Sequence, residues 1–320
     1  MSVLYCGIDE AGYGPMLGPL VVGLAMFRVE AWDPGDPAPD LWERLAPAVC
    51  KTAREAGDRI AVGDSKRLKL PNDSRSHHPC THLERAVLTT LAMRGDHPAD
   101  DASLLTAMGE ILPSQPWYAG DPVPLPLDRP PGALRIDANL LASACETAGV
   151  AAAGLRVRLV PEDTFNEVVR GTGSKAATTA GPVAELLRAA ADASDGPVRI
   201  VCDRQSGRLD YEDIVARAFP GEAVELDART QRSSRYLVRE GRVAIHFETA
   251  AEDRHLPTAL ASMAAKLVRE LMMARLNRHF TARLPGLRPT AGYVQDARRW
   301  LADARGVLTD DERKALVRIA

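Results

Sequence analysis

Residues 3–15 read Val3-Leu4-Tyr5-Cys6-Gly7-Ile8-Asp9-Glu10-Ala11-Gly12-Tyr13-Gly14-Pro15, an apolar run that meets two adjacent acids and then a glycine- and proline-rich turn. Positions 3–8 predict a strand, 11–19 a turn, and the apolar run 20–27 the returning strand of a hairpin. Side chains alternate along a strand, so Asp9 and Ile8 point to opposite faces and Glu10 leaves as the chain turns. A carboxylate beside a core strand is costly unless it is paired or coordinates a cation. The bland alternative places both acids in an exposed turn, where acids are common.

Working outward, the run 198–202 (Val-Arg-Ile-Val-Cys) repeats the pattern and ends at Asp203, which shares a strand face with Val201. Strand ends of open α/β sheets are frequent sites of chemistry; a helix cap or a pair with Arg204 is the alternative. Positions 258–280 form the longest helical pattern, with Ser262, Lys266 and Glu270 on one face. Leu260, Met263, Ala264, Leu267 and Leu271 make an apolar stripe beside it. Lys266 and Glu270 are by default a solvated ion pair. Yet residues 264–289 hold six Lys/Arg and a single acid, Glu270. That composition predicts a local basic strip suited to phosphates, with the acid placed as a metal ligand.

Around these segments the pattern predicts helices at 41–56, 82–94, 138–148, 183–193, 296–304 and 309–319. It predicts a strand at 155–160 and a hairpin from 235–238 and 243–247 around Gly241. Seven prolines at 113–131 mark an extended surface insertion. Hairpin strands followed by strand–helix alternation argue for an α/β layer fold.

Composition bounds the function. At 320 residues, 46% apolar and 26% charged, the chain suits one core with large insertions or about two domains. Lys plus Arg number 40 against 43 Asp plus Glu, a net charge of −3, which excludes a polybasic mode of nucleic-acid binding and leaves local attraction. The uncharged run 11–27 is shorter than the roughly 20 residues of a membrane span. It also carries four glycines and two prolines, and no basic segment precedes it, so neither a membrane anchor nor a signal peptide is expected. Five scattered cysteines without a C-x-x-C pair fit reduced thiols and a cytoplasmic location.

Weaker signals read as scaffold. His77-His78-Pro79-Cys80-Thr81-His82 is packed too tightly for ordinary zinc-ligand spacing and predicts a solvated loop. Gly171-Thr172-Gly173-Ser174-Lys175 lacks the spacing of a P-loop and predicts a flexible loop, with a phosphate contact from Lys175 as the lesser option. Trp32, Trp42, Trp117 and Trp300 do not cluster and read as packing residues rather than a base-stacking platform.

The segment from Gly7 to Pro15, followed by Gly18-Pro19-Leu20-Val21-Val22, resembles the opening hairpin of the ribonuclease HII family. Three further segments match in order: Asp64-Ser65-Lys66-Arg67-Leu68, then Ile136-Asp137-Ala138-Asn139-Leu140-Leu141, then the run from Ala261 to Glu270. Gly292-Tyr293 resembles a Gly-Tyr pair that follows the family's catalytic helix, and Asp203 fits the place of its third acid. The resemblance implies a ribonuclease H-like fold, a mixed five-stranded sheet flanked by helices. It implies a catalytic domain over 1–284 with the Pro-rich insertion near 113–131, and a C-terminal helical extension over 285–320. Asp9, Glu10, Asp203 and Glu270 would be the catalytic acids and ligands of two Mg²⁺ or Mn²⁺ ions. Water would attack phosphorus and a 3′ oxygen would leave. Gly12, Tyr13, Gly14, Ser65, Lys66, Lys266, Arg269 and Tyr293 would bind substrate, the first three along the ribose and the two lysines on phosphates.

The implied activity is divalent-metal-dependent endonuclease cleavage of the RNA strand, or of embedded ribonucleotides, in RNA–DNA duplexes, by a monomer without a membrane partner. Tyr13 stands where the family has Arg, so a guanidinium contact to phosphate is missing. Glu270 stands where the family has Asp, and Arg204 follows Asp203 where the family has Gly. Two other readings compete: a non-catalytic or altered-specificity nucleic-acid-binding paralogue, and a phosphotransferase of the actin/sugar-kinase type. The second needs a duplicated strand–Asp–Gly-rich half, of which residues 203–207 are a poor version.

Overall fold

A computed structural model describes residues 2–33, 35–205 and 208–319; Pro34 of the loop at 32–40 and Ser206-Gly207 after Asp203 lie outside the described residues. Nine strands are described. They are β1 (Val3–Ala11), β2 (Leu20–Val29), β3 (Val49–Cys50), β4 (Ile60–Ala61), β5 (Val150–Val160), β6 (Val198–Asp203), β7 (Glu225–Arg229), β8 (Ser233–Val238) and β9 (Val243–Glu248). The helices before β5 are α1 (Leu41–Arg44), α2 (Ser65–Leu68), α3 (Thr81–Ala92), α4 (Asp101–Ala107) and α5 (Pro131–Thr147). Those after it are α6 (Glu162–Thr172), α7 (Ala177–Asp192), α8 (Glu212–Ala218), α9 (Leu256–Arg283), α10 (Val294–Asp303) and α11 (Asp310–Leu316).

The main sheet runs β5-β2-β1-β6-β9-β8-β7. β1 and β2 form the expected antiparallel hairpin, β5 pairs antiparallel to β2, and β6 and β9 run parallel to β1. The first five strands in that order are the mixed five-stranded sheet of a ribonuclease H-like fold. The sheet is nevertheless seven strands wide, because β8 pairs antiparallel to β9 and β7 to β8. All five β7 residues are exposed, so this outermost strand has no buried face and no apolar alternation by which to be seen in sequence.

β1 is buried on both faces, and its alternation sorts the core into two layers. Val3, Tyr5 and Ala11 join one layer with Val201 and α9; Leu4, Cys6 and Ile8 join the other with α7 and α8. Asp9 therefore faces α9, and Asp203, in step with Val201, faces the same way. α9 comes unusually near the sheet. A Cβ on Gly7 would lie 2.0 Å from the Thr258 backbone nitrogen, and one on Gly23 would lie 2.3 Å from the Ala261 carbonyl oxygen. Glycine at these two strand positions sets the helix depth.

Three expectations need correction. The helix expected over 41–56 stops at Arg44: Pro47 removes a donor, and Val49–Cys50 pair instead with Ile60–Ala61 in a separate small sheet. The Pro-rich insertion is partly core, since Trp117 and Tyr118 are buried. The basic strip expected over 264–289 is split: Lys266, Arg269 and Arg275 are buried, whereas Arg278, Arg283 and Arg288 are exposed. Arg275 is buried against Asp101 (2.7 Å), Arg269 donates to the Leu17 and Ala291 carbonyls, and Arg283 pairs with Glu312. The four tryptophans are buried, and the five cysteines are buried and free. Among the described residues no helix is long and apolar enough to cross a membrane.

Candidate active site

β1 and β6 run parallel and side by side, so their carboxyl ends deliver Asp9 and Asp203 to one edge of the sheet. The chain leaves β9, next in the sheet, through Thr249 and the left-handed Ala250 into a single 3-10 turn, Ala251–Asp253. That turn is tied to the strand end, because the Ala251 N–H donates to Asp203 Oδ1 at 2.8 Å. It carries Glu252 to the same place. Carboxylate oxygens of Asp9, Asp203 and Glu252 lie within 4.8 Å of one another, the group among the described residues that could hold a metal ion.

Three anionic groups in so small a volume repel one another, and burial removes the water that would screen them. Burial first, then Glu10, Asp203 and Glu252, push Asp9 well above the usual carboxylate range. Burial, Asp203 and Glu252 push Glu10 to about 7, and burial with Glu252 raises Asp203 to about 6. The Lys66 ammonium works against the rise at Glu10 and Asp203. An all-oxygen donor set that resists ionisation without a counter-charge fits a hard divalent cation, which would supply that charge. The residues present fit such an ion.

Hydroxyls support the cluster from α9 and α2. Ser262 lies beside Asp9 and is hydrogen-bonded to Ser65 Oγ at 3.0 Å. Ser65 is itself buried; Asp64 caps α2 by accepting from the Lys66 N–H, which leaves Lys66 exposed next to the acids.

Glu270 is not brought into this group. It sits two helical turns beyond Ser262, roughly 12 Å along the axis at 1.5 Å per residue, with Lys266 Nζ at 3.0 Å and Lys69 Nζ at 3.8 Å. Glu252 occupies the place expected of it, and composition did hold a signal: an acid follows β9 as acids end β1 and β6. Arg269, expected to meet substrate, is fully buried and reaches no solvent. It lies beneath the 12–18 turn, where a Cβ on Gly12 would fall 2.6 Å from its Nε. Tyr293 is 48% exposed and lies over both Lys266 and Arg269. Gly12 has φ +90°, a left-handed position that suits glycine, and Tyr13 and Gly14 lie at the surface of the turn. Lys175 reaches the same spot, 5.2 Å from the Tyr13 ring.

The strand order and the collinear motifs settle the architecture. The chain resembles the ribonuclease HII family, with a ribonuclease H-like fold. No protein-family model and no curated protein matches it. Among solved structures it is similar to ribonuclease HII of Archaeoglobus fulgidus, solved in complex with PCNA, at 15% identity over 99% of this chain and 94% of that one, TM-score 0.42. It is similar to ribonuclease H2 of Pyrococcus horikoshii OT3 at 18% identity over 98% and 97%, TM-score 0.44. A third similar structure is Bst-RNase HIII in complex with Mn²⁺, at 17% identity over 98% of this chain and 69% of that chain, TM-score 0.39.

Proposed function

We propose that the chain is a divalent-metal-dependent endonuclease that hydrolyses the RNA strand, or embedded ribonucleotides, of RNA–DNA duplexes. The observation that carries this reading is the convergence of Asp9, Asp203 and Glu252 from three distant segments onto one buried point. Asp9, Asp203 and Glu252 would hold a pair of Mg²⁺ or Mn²⁺ ions with Glu10 beside them, and Glu270 is left out of the ligand set. Such ions, when bound, polarise a phosphodiester and make water a competent nucleophile near neutral pH.

The chain's own residues do the rest. The paired hydroxyls of Ser65 and Ser262 hold the Asp9 carboxylate in place. Lys66 offers an ammonium to a phosphate beside the acids, and Lys266 with Tyr293 offers a second contact further along α9. The Gly12-Tyr13-Gly14 turn, half-buried at Gly12 and Tyr13 and exposed at Gly14, lies along the ribose, where backbone groups meet the 2′-OH that separates RNA from DNA. Residues 1–284 form the catalytic unit, and 285–320 an extension that braces this turn. Five free thiols fit a reducing, cytoplasmic setting.

The test is cleavage of matched labelled duplexes carrying one ribonucleotide, a ribonucleotide tract or none, with Mg²⁺ and Mn²⁺ compared. Cuts confined to ribonucleotide-bearing strands and abolished by EDTA are expected. A purified, folded protein that cuts none of them under either ion removes the reading.

A further inference from the structure

Glu270 lies outside the acid group, yet its surroundings are those of an anion. Its carboxylate meets Lys266 Nζ at 3.0 Å, Lys69 Nζ at 3.8 Å and Arg269 Nη1 at 3.8 Å. The pocket it borders holds about 380 Å³ and is lined also by Lys66, Asn72 and Tyr293. Lys69 is fixed toward this space by a hydrogen bond to Asn72 Oδ1, and Lys266 by the Tyr293 ring, 5.7 Å away. Arg269 is fully buried, and its Nη1 has no hydrogen-bond partner. Two lysines therefore converge on one carboxylate at the mouth of an open pocket that also reaches Lys66, the lysine next to the acid cluster, with the buried Arg269 guanidinium behind it. A structural ion pair needs one lysine; this arrangement has the charge and room for a phosphate.

We propose that Glu270 is an internal competitor at this phosphate contact, occupying Lys266 and Lys69 in the free protein and displaced from them when a backbone phosphate of bound duplex arrives. This rests on the nuclease reading for the identity of the ligand. The consequence is opposite to that of a supporting ion pair: with the competitor removed, the lysines bind the polyanion more tightly and neutralise one more phosphate.

The test is fluorescence anisotropy with a labelled duplex carrying one ribonucleotide, in EDTA so that nothing turns over, across a salt series. Glu270→Gln keeps shape and polar contacts and removes the charge. It is expected to bind up to about fivefold more tightly, the worth of a partly exposed ion pair, and to steepen the salt dependence of log Kd by about 0.9. Lys69→Met is expected to weaken binding and flatten that slope. Glu270→Gln that binds equally or more weakly, with an unchanged slope, assigns Glu270 to holding the lysines in place and overturns the proposal. Wild-type protein that binds no duplex at all overturns the nuclease reading and this one with it. Binding by wild type with no gain in the variant overturns only this one.

Discussion

The guanidinium of Arg318 donates to the carbonyl oxygen of Gly12 at 2.6 Å, tying a residue near the far end of the sequence to the turn that follows the first strand. The same side chain donates to Tyr13 O at 3.0 Å and Gly18 O at 3.3 Å, is buried, and stacks on Phe165 at 3.8 Å. Its own segment is held by Asn166, which bonds Val317 O and the Ile319 N–H. From the other side Arg269 holds Leu17 O, and the Gly292 carbonyl accepts from Met16 and Leu17. The turn proposed to lie along the ribose is thus clamped by two buried guanidiniums from remote elements.

Arg318→Ala removes that clamp and leaves three carbonyls without their donor. Amide hydrogen exchange across residues 12–18 is expected to accelerate while β1 stays protected. Cleavage should fall by about tenfold or more, because a misplaced positioning loop is costly to rate. Unchanged exchange in the turn, with unchanged cleavage, would show the clamp to be idle.

Asp9→Asn keeps the side-chain shape and halves the ligand capacity of the central acid. Cleavage is expected to drop by at least about a hundredfold. The rise in melting temperature on adding Mg²⁺ or Mn²⁺ should shrink in parallel. Glu252→Gln is expected to behave likewise and Glu270→Gln is not, which separates the two candidate fourth acids by thermal shift alone.

The raised acids give stability a pH dependence with a definite sign. Glu10 rises to about 7 and Asp203 to about 6, so between about pH 4 and 7 the folded state binds protons that the unfolded chain has released. Unfolding is then favoured as pH rises through that window, and the loss is complete above the folded values. Burial also holds His246 below its ordinary value, which acts in the opposite sense, so the wild-type profile is a sum. The difference isolates the acids: in EDTA, Glu10→Gln should come closest to wild type near pH 4 and exceed it at pH 8, by on the order of 1 kcal/mol after solvent screening. Urea unfolding at the two pH values measures it, and a gap that is equal at both rejects the assignment.

Much of the fold was legible from β1 alone, because a strand buried on both faces leaves a continuous apolar run and its alternation then fixes where Asp9 points. Asp203 could be read by the same logic on β6. Glu252 could not be placed so simply: it stands on a 3-10 turn whose position depends on the Ala251–Asp203 hydrogen bond, a contact between residues 48 apart. Glu270 drew attention as the lone acid in a basic segment, yet charge composition along a helix does not say which cations face inward. Arg269 and Arg275 turned out to be buried, and the basic character they lent the segment is absent from the surface.

Asp101 and Arg275 form a buried pair that joins α4 to α9. Arg275 Nη2 lies 2.7 Å from Asp101 Oδ1, and its Nη1 donates to the Tyr118 carbonyl at 2.9 Å. Asp101 Oδ1 also accepts from the Val123 N–H at 3.0 Å, so one carboxylate gathers the helix and the Pro-rich insertion. Removing one partner leaves a buried charge uncompensated. Asp101→Ala should cost about 3–5 kcal/mol in urea unfolding, whereas replacing both partners with apolar residues should cost much less.

The depth of α9 depends on two missing methyl groups, and Gly7→Ala tests whether that depth serves the site. The added Cβ would lie 2.0 Å from Thr258 N and 2.2 Å from the Pro257 carbonyl carbon, both backbone atoms, so the helix must retreat rather than a side chain rotate. Overpacking of this kind should cost about 3 kcal/mol. Because Ser262 lies one turn beyond Thr258 on the same helix, retreat also draws its hydroxyl from Asp9. Gly132→Ala is the control, since a Cβ there meets nothing within 4 Å inside α5. In the first turn of the helix it should change stability by no more than about 0.5 kcal/mol, below the interior value, and leave cleavage alone. If Gly7→Ala loses stability but cleaves normally at temperatures where it remains folded, the close approach of α9 belongs to packing and not to the acid site.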